Sequence, residues 1–146
     1  MLKHASLFFF GILLTTGATA EILIKESEAR LPPAPATSTA TRSITRGPGI
    51  RILSPSAGSQ AIVSPFPLQI AFEPHGGAKI DLATVRLTYL RSPNVDLTER
   101  VKAGVSDKGI DLKAAEVPPG EHQIRVSVQD SDGRQSNVVL NLNVAK

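Results

Sequence analysis

Two histidines, a pair of closely spaced aspartates and a few serines are the side chains in this 146-residue sequence that could do chemistry. Glu73, His75 and Asp81 offer three metal ligands if the loop Glu73-Pro74-His75-Gly76-Gly77 folds back on itself. A structural zinc site ordinarily needs four ligands, and the three histidines of the chain are too few for a multi-histidine site. The simpler expectation for His75 is an exposed turn. His122, following Pro118-Pro119-Gly120-Glu121, is likewise expected on the polar side at the start of a strand.

Asp130 and Asp132 carry hard oxygen donors suited to calcium, but the twelve-residue loop with regularly spaced ligands and a closing glutamate is absent. The alternative for Asp130-Ser131-Asp132-Gly133-Arg134 is a turn in which Asp130 binds local amides and Gly133 takes a positive φ. Ser127, Ser131 and Ser136 lack a nucleophile-elbow setting, and no histidine is placed by spacing to activate them. Gly76-Gly77-Ala78-Lys79 lacks the Lys-Ser/Thr pair of a phosphate-binding loop. No catalytic, cofactor-binding or metal-binding residue is therefore assigned, and no cofactor is expected.

The elements that must position these side chains come in three sections. Residues 1–20 read as a signal peptide: Lys3 and His4 precede an apolar Leu7–Leu14 run, and Ala18-Thr19-Ala20 supplies small residues for cleavage. That run is short for a bilayer-spanning helix, and no membrane span is expected after cleavage; an uncleaved anchor is the alternative. Export to the periplasm is the expected destination, with secretion or attachment at the cell surface as the alternative. Charge is nearly balanced, 16 Lys plus Arg against 13 Asp plus Glu, with Lys3 inside the leader. Such a spread gives no concentrated basic surface for nucleic acid. With no cysteine, the fold has to be held by its apolar core.

Residues 21–49 read as a flexible N-terminal arm, because Leu31–Gly49 is dominated by Pro, Ala, Thr, Ser and Gly. Within it, Ile22-Leu23-Ile24 can join a sheet edge, while Glu26 and Arg30 have the spacing of an ion pair on one helical turn. Residues 50–146 change to a period of two. Leu68-Gln69-Ile70-Ala71-Phe72, Val85-Arg86-Leu87-Thr88-Tyr89, Ile124-Arg125-Val126-Ser127-Val128-Gln129 and Val138 to Val144 each place large apolar side chains on one face. Shorter strands are expected at Ile50–Leu53, Asp96–Val101 and Gly109–Leu112, with helical turns as alternatives at Ile80–Thr84 and Asp111–Glu116. Seven strands divided by turn signals predict an all-β, seven-stranded immunoglobulin-like Greek-key sandwich whose core contains Ile70, Leu87, Val126 and Leu140.

The runs Ile80–Leu87, Val117–Val126 and Val128–Arg134 resemble the immunoglobulin-like and fibronectin type III-like modules of bacterial exported and surface proteins. The Pro-Gly turn before the sixth strand and the Asp…Asp-Gly turn before the last carry the resemblance, which covers residues 50–146. Modules of this kind serve as spacers, adhesion units, carbohydrate-binding units and appendages to enzymes, so the resemblance bears on the fold more than on the function. The chain departs from antibody-type domains in lacking a disulfide pair and tryptophan, and Tyr89 is not in the usual tyrosine-corner position.

A polar strand face then becomes the candidate interaction surface: Arg86, Thr88, Gln123, Arg125 and Gln129, with Ser127 in phase. The expected partner is another exported or envelope protein. Three other readings have distinct signatures. A carbohydrate-binding module would show an exposed aromatic platform or a polar groove lined by Arg and Gln, and a structural spacer would show neither. A small hydrolase would bring His75 or His122 together with a carboxylate and a nucleophile. Free sheet edges offer a further route, by strand addition.

Overall fold

The computed structural model describes residues 19–35, 46–56 and 60–146. The signal-peptide reading falls almost wholly outside these residues, as does the middle of the Pro/Ala/Thr-rich segment. Among the described residues no helix is long and apolar enough to cross a membrane.

Nine strands and two short α-helices follow one another along the described chain. They are β1 (Glu21–Ile22), α1 (Glu26–Ala29), β2 (Gly49–Ser54), β3 (Phe66–Glu73), β4 (Ile80–Tyr89), β5 (Val95–Asp96) and α2 (Thr98–Val101). After a 3-10 turn at Lys102–Gly104 come β6 (Val105–Ser106), β7 (Gly109–Glu116), β8 (Gly120–Asp130) and β9 (Gln135–Val144). One sheet runs β1-β7-β3-β2 with β6 also on β7, and the other runs β5-β4-β8-β9. The crossovers that place β7 beside β3, and β8 beside β4, give an all-β two-sheet sandwich consistent with a generic immunoglobulin-like or fibronectin type III-type arrangement.

The period-two strands explain that architecture. Inward residues alternate along β3 (Phe66, Leu68, Ile70, Phe72), β4 (Val85, Leu87, Tyr89), β8 (Ile124, Val126, Val128) and β9 (Leu140, Leu142, Val144), and all are buried. Each face is apolar on one side only, so the two sheets bury them against one another, at about 1.5–3 kcal/mol for each fully buried aliphatic or aromatic side chain. The four diagnostic residues Ile70, Leu87, Val126 and Leu140 all lie in this core, as expected.

Several local expectations are corrected. Asp96–Val101 is not a strand: only Val95–Asp96 pairs with β4, and α2 follows because Asp96 accepts a hydrogen bond from the Thr98 amide and turns the chain. Asp111–Glu116 is strand rather than helical turn, fixed by the ladder from β7 to β3. Ile80–Thr84 also belongs to a strand, where the register against β8 slips between Asp81 and Arg86. Asp81 does cap an amide there, that of Ala83, while Thr84 donates its hydroxyl to the Asp81 carbonyl. These bonds stabilise a bulge, a local irregularity that a helical turn resembles in composition.

The largest difference lies in the segment read as an arm. Glu21 and Ile22 pair in parallel with Ala115 and Glu116, and Leu23 and Ile24 are buried in the sandwich core at 1% and 2% exposure. Helix α1 also forms, with Glu26 and Arg30 as a loose exposed pair. Glu28 on α1 meets Arg100 on α2 through two charge-assisted bonds of 2.7 and 2.6 Å, and the same guanidinium donates to the Leu23 carbonyl. Those bonds from Arg100 hold the Glu28 carboxyl below its ordinary range, against the opposing effect of burial. Further on, the Ser92 amide donates to Pro32 and the Arg91 guanidinium to Leu31. Residues 21–34 are thus strapped across the sandwich by partners 56 to 94 positions away, a relation no local composition displays.

Candidate functional site

The polar residues singled out from sequence share one face. On the outer side of the four-stranded sheet, Arg86 of β4 stands opposite Ser127 of β8, Thr88 opposite Arg125, and Asp81 opposite Gln129. Gln123 lies opposite Asn141 of β9, to which its side-chain amide donates at 3.0 Å. Arg125 and Val139 are the next cross-strand pair. Arg86 is pinned by its own strand, donating to the carbonyls of Ala83 and Val85. The face therefore presents amide, hydroxyl and guanidinium groups side by side on paired strands, with Arg86 and Gln123 held by the bonds above.

At one end of this face the sheet opens into a cleft of about 650 Å³, lined in part by Arg91, Glu121, Gln123, Asn141 and Asn143, with Pro33 bridged to Arg91 at its wall. Only Gln123 among these belongs to the polar face expected from sequence. Asn141 and Asn143 alternate with buried Leu140 and Leu142, so their outward direction was available from parity. Arg91 lies beyond the end of β4, where alternation gives no direction, and Pro33 arrives from the N-terminal strap.

Beneath the cleft lies a hydrogen-bonded chain of side chains. The Arg91 Nε–H donates to the Tyr89 hydroxyl at 2.8 Å, and Tyr89 Oη lies 2.8 Å from His122 Nδ1. His122 Nε2 is 2.8 Å from the Pro118 carbonyl oxygen. A carbonyl only accepts, so Nε2 carries the proton, and Nδ1 of the neutral ring accepts from the tyrosine. His122 is 2% exposed, which corrects the expected surface position. Strand parity explains it: Gln123, Arg125, Ser127 and Gln129 face outward, so His122 shares the inward phase of Ile124, Val126 and Val128. His122 lines the inner wall of the cleft, and both its ring nitrogens are occupied by fixed partners, so the geometry makes this histidine a strut of that wall.

Burial pushes the His122 ring below its ordinary value of 6.5, the bond to Pro118 acts the other way, and the Arg91 charge adds to the depression. The unfolded chain therefore takes up a proton near pH 6.5 while the folded chain resists until lower pH. Stability is expected to be complete above that value and to fall on acidification below it, with a slope approaching about 1.4 kcal/mol per pH unit for this one group. Denaturant midpoints between pH 8 and pH 5 check this: the wild-type curve drops, whereas His122→Gln, although less stable, stays flat. An equal drop in both would remove the assignment. The carboxyl of Glu28 sits below its ordinary 4.5 and contributes its acid lability only at lower pH.

The remaining chemistry-bearing residues resolve as turns and struts. Asp130 is buried; burial opposes its ionisation, but the amides of Arg134 and Asp132 and the Arg134 guanidinium outweigh that and hold the carboxyl below its usual range. Gly133 takes φ +75° in the same turn, as the turn reading expects. Arg134 also binds Asp132 and the His75 carbonyl, so this guanidinium occupies the place where a cation would neutralise the aspartates. His75 is exposed. Among the described residues no group of three or more His, Cys, Asp or Glu is arranged to hold a metal. The three described aromatic residues, Phe66, Phe72 and Tyr89, are all buried.

No protein-family model matches the chain, and no match is found among curated proteins or solved structures. The functional reading rests on the chain's own geometry.

Proposed function

We propose that this protein is an exported, non-catalytic recognition module that binds another envelope protein in the periplasm. The observation that carries the reading is the convergence of Arg86, Thr88, Gln123, Arg125 and Gln129 on one rigid sheet face, continuous with the cleft beside Arg91, Asn141 and Asn143. Amides and guanidinium groups fixed on strands bind carbonyls and carboxylates of a partner with little ordering cost of their own. The family-level likeness to immunoglobulin-like and fibronectin type III-like modules of bacterial exported proteins belongs to the same proposal, as does the leader in residues 1–20.

One observation favours a second reading. The cleft sets Arg91, Gln123 and two asparagines among the apolar Pro33, Ile62, Leu90 and Leu142, a mixed lining that also suits the hydroxyls and ring faces of a sugar, although the buried aromatic residues provide no stacking platform for it. A spacer would make no use of either feature.

Affinity capture from the exported fraction distinguishes these, using the entire mature chain, because a version beginning at Ile50 would lack the core residues Leu23 and Ile24. A protein retained by the wild type and weakened at least tenfold, about 1.4 kcal/mol, by Gln123→Ala with Arg125→Glu supports the proposal. Retention of glycans on an array, lost with the same substitutions, transfers the site to carbohydrate. Partner retention unaffected by both substitutions rejects this face.

A further inference from the structure

The two sheets end side by side at β2 and β9, and these two edges are protected very differently. In natural sandwiches an open edge is blunted by charge, proline, a bulge, shortness or a covering segment. Edge strand β2 carries the Arg51–Glu73 ion pair, a register slip between Ile52 and Ser54, and Pro55 directly after it. On the opposite sides of the sheets, β7 is flanked by β1 and β6, and β4 by β5 and its own bulge. Among the described residues, strand β9 has none of these devices over its middle, Asn137 to Asn141. Its ten residues, Gln135 to Val144, contain no charge and no proline and pair with β8 in an unbroken register from Gln135 to Val144.

Which backbone groups are open follows from the one segment that does touch this edge. The Ile62 amide donates to the Asn143 carbonyl, and the Ala145 amide donates to the Ile62 carbonyl. Peptide groups alternate in direction along a strand, so those of Asn137, Val139 and Asn141 point the same way, outward from the sheet. No described backbone group pairs with them there. Ile62 closes the window at one end, and Gly47, packed against Gln135 and Ser136, closes it at the other.

The side chains around the window specify what fits. Toward the core, Ile50 and Ile52 of β2 and Val138 of β9 are only half-buried, although each packs on the core from the inner face of its sheet. On the outer face the neighbours are the neutral Asn137 and Asn141 amides, with Val139 still 38% exposed between them. We propose that the open edge of β9 takes up an extended segment of a partner protein as an added strand, one that alternates apolar with uncharged polar side chains. Its apolar side chains cover Ile50, Ile52 and Val138, its polar ones lie beside Asn137 and Asn141, and its backbone bonds to Asn137, Val139 and Asn141. This goes beyond the sheet-face reading above; the two share Asn141, but one rests on the outward side chains of Arg86, Gln123 and Arg125 and the other on the edge backbone of Asn137 and Val139, so either can fail alone.

The test titrates an N-acetylated, C-amidated peptide of alternating valine and threonine into the isotope-labelled full mature chain, read by amide shifts and hydrogen exchange. The expected result is perturbation and new exchange protection confined to the amides of Asn137, Val139 and Asn141. Methylating the peptide nitrogens on its bonding edge abolishes the effect, whereas methylating those on the other edge leaves it. Val139→Pro removes one outward amide that the sandwich itself does not use and weakens binding at least tenfold; if that variant fails to fold, the two methylated peptides still decide. The proposal is overturned by an absence of shifts at millimolar peptide, by shifts confined to Arg86 and Arg125, or by equal binding of both methylated peptides. Concentration-dependent protection of the same three amides without peptide overturns it too, since the occupant is then a second copy of the chain.

Discussion

Replacing Gly109 with alanine is expected to cost about 2–5 kcal/mol, the sum of positive-φ strain and steric overpacking, enough to remove a large share of a small domain's stability. Gly109 opens β7 at φ +146° and pairs with Ala71 of β3 inside the five-stranded sheet. A Cβ there would stand within the van der Waals envelope of the Ile70 carbonyl oxygen, so backbone would have to move and the β3–β7 ladder with it. Gly133→Ala is the matched control. Its φ is +75° with nothing within 4 Å of the added carbon, leaving the conformational cost of about 1–2 kcal/mol alone. Chemical denaturation of the two variants separates the effects, and equal losses would show that the close approach to Ile70 contributes nothing.

Leu23→Ala and Ile24→Ala are each expected to destabilise the chain by about 2–4 kcal/mol, the range for emptying a well-packed aliphatic site. A tether would tolerate both without change. Ile22→Ala, at a side chain 54% exposed one position earlier, is expected to be nearly neutral and serves as the comparison. Denaturant midpoints that fail to separate the buried pair from Ile22 would mean that the N-terminal strap does not contribute to the core. The reason for the expected cost is the docking itself. Leu23 donates its amide to the Glu116 carbonyl, and Arg100 grips both the Leu23 carbonyl and the Glu28 carboxylate. Once the strap is held at these points, emptying the pocket under Leu23 or Ile24 leaves a cavity that cannot easily collapse.

The two expectations bear on function through position. The strap continues from Ile24 through α1 to Pro32 and Pro33, which reach the cleft beside Arg91. Loosening its buried start would therefore disturb one wall of the cleft, whereas the β9 window is bounded by Gly47 and by Ile62, the latter also lining the cleft from its other side.

Much of this was legible in the sequence wherever physics acts over neighbouring residues. Alternation at Leu68–Phe72, Val85–Tyr89, Ile124–Gln129 and Val138–Val144 sufficed for the strands, their buried faces and the two-sheet class, because a strand's side-chain period is fixed by its backbone. The Asp130–Gly133 turn was legible for the same reason: its bonds close within four residues. The shared outward direction of Gln123, Arg125 and Gln129 also follows from alternation. What alternation left undetermined was distance across the fold. It could not place β4 beside β8 and so join Thr88 to Arg125, carry Leu23 to Glu116, or set the Tyr89 hydroxyl on His122 and leave β9 with no described strand on its outer side. Those relations depend on which strands become neighbours, and that is decided by burying both apolar faces at once, a property of the packed chain rather than of any single segment.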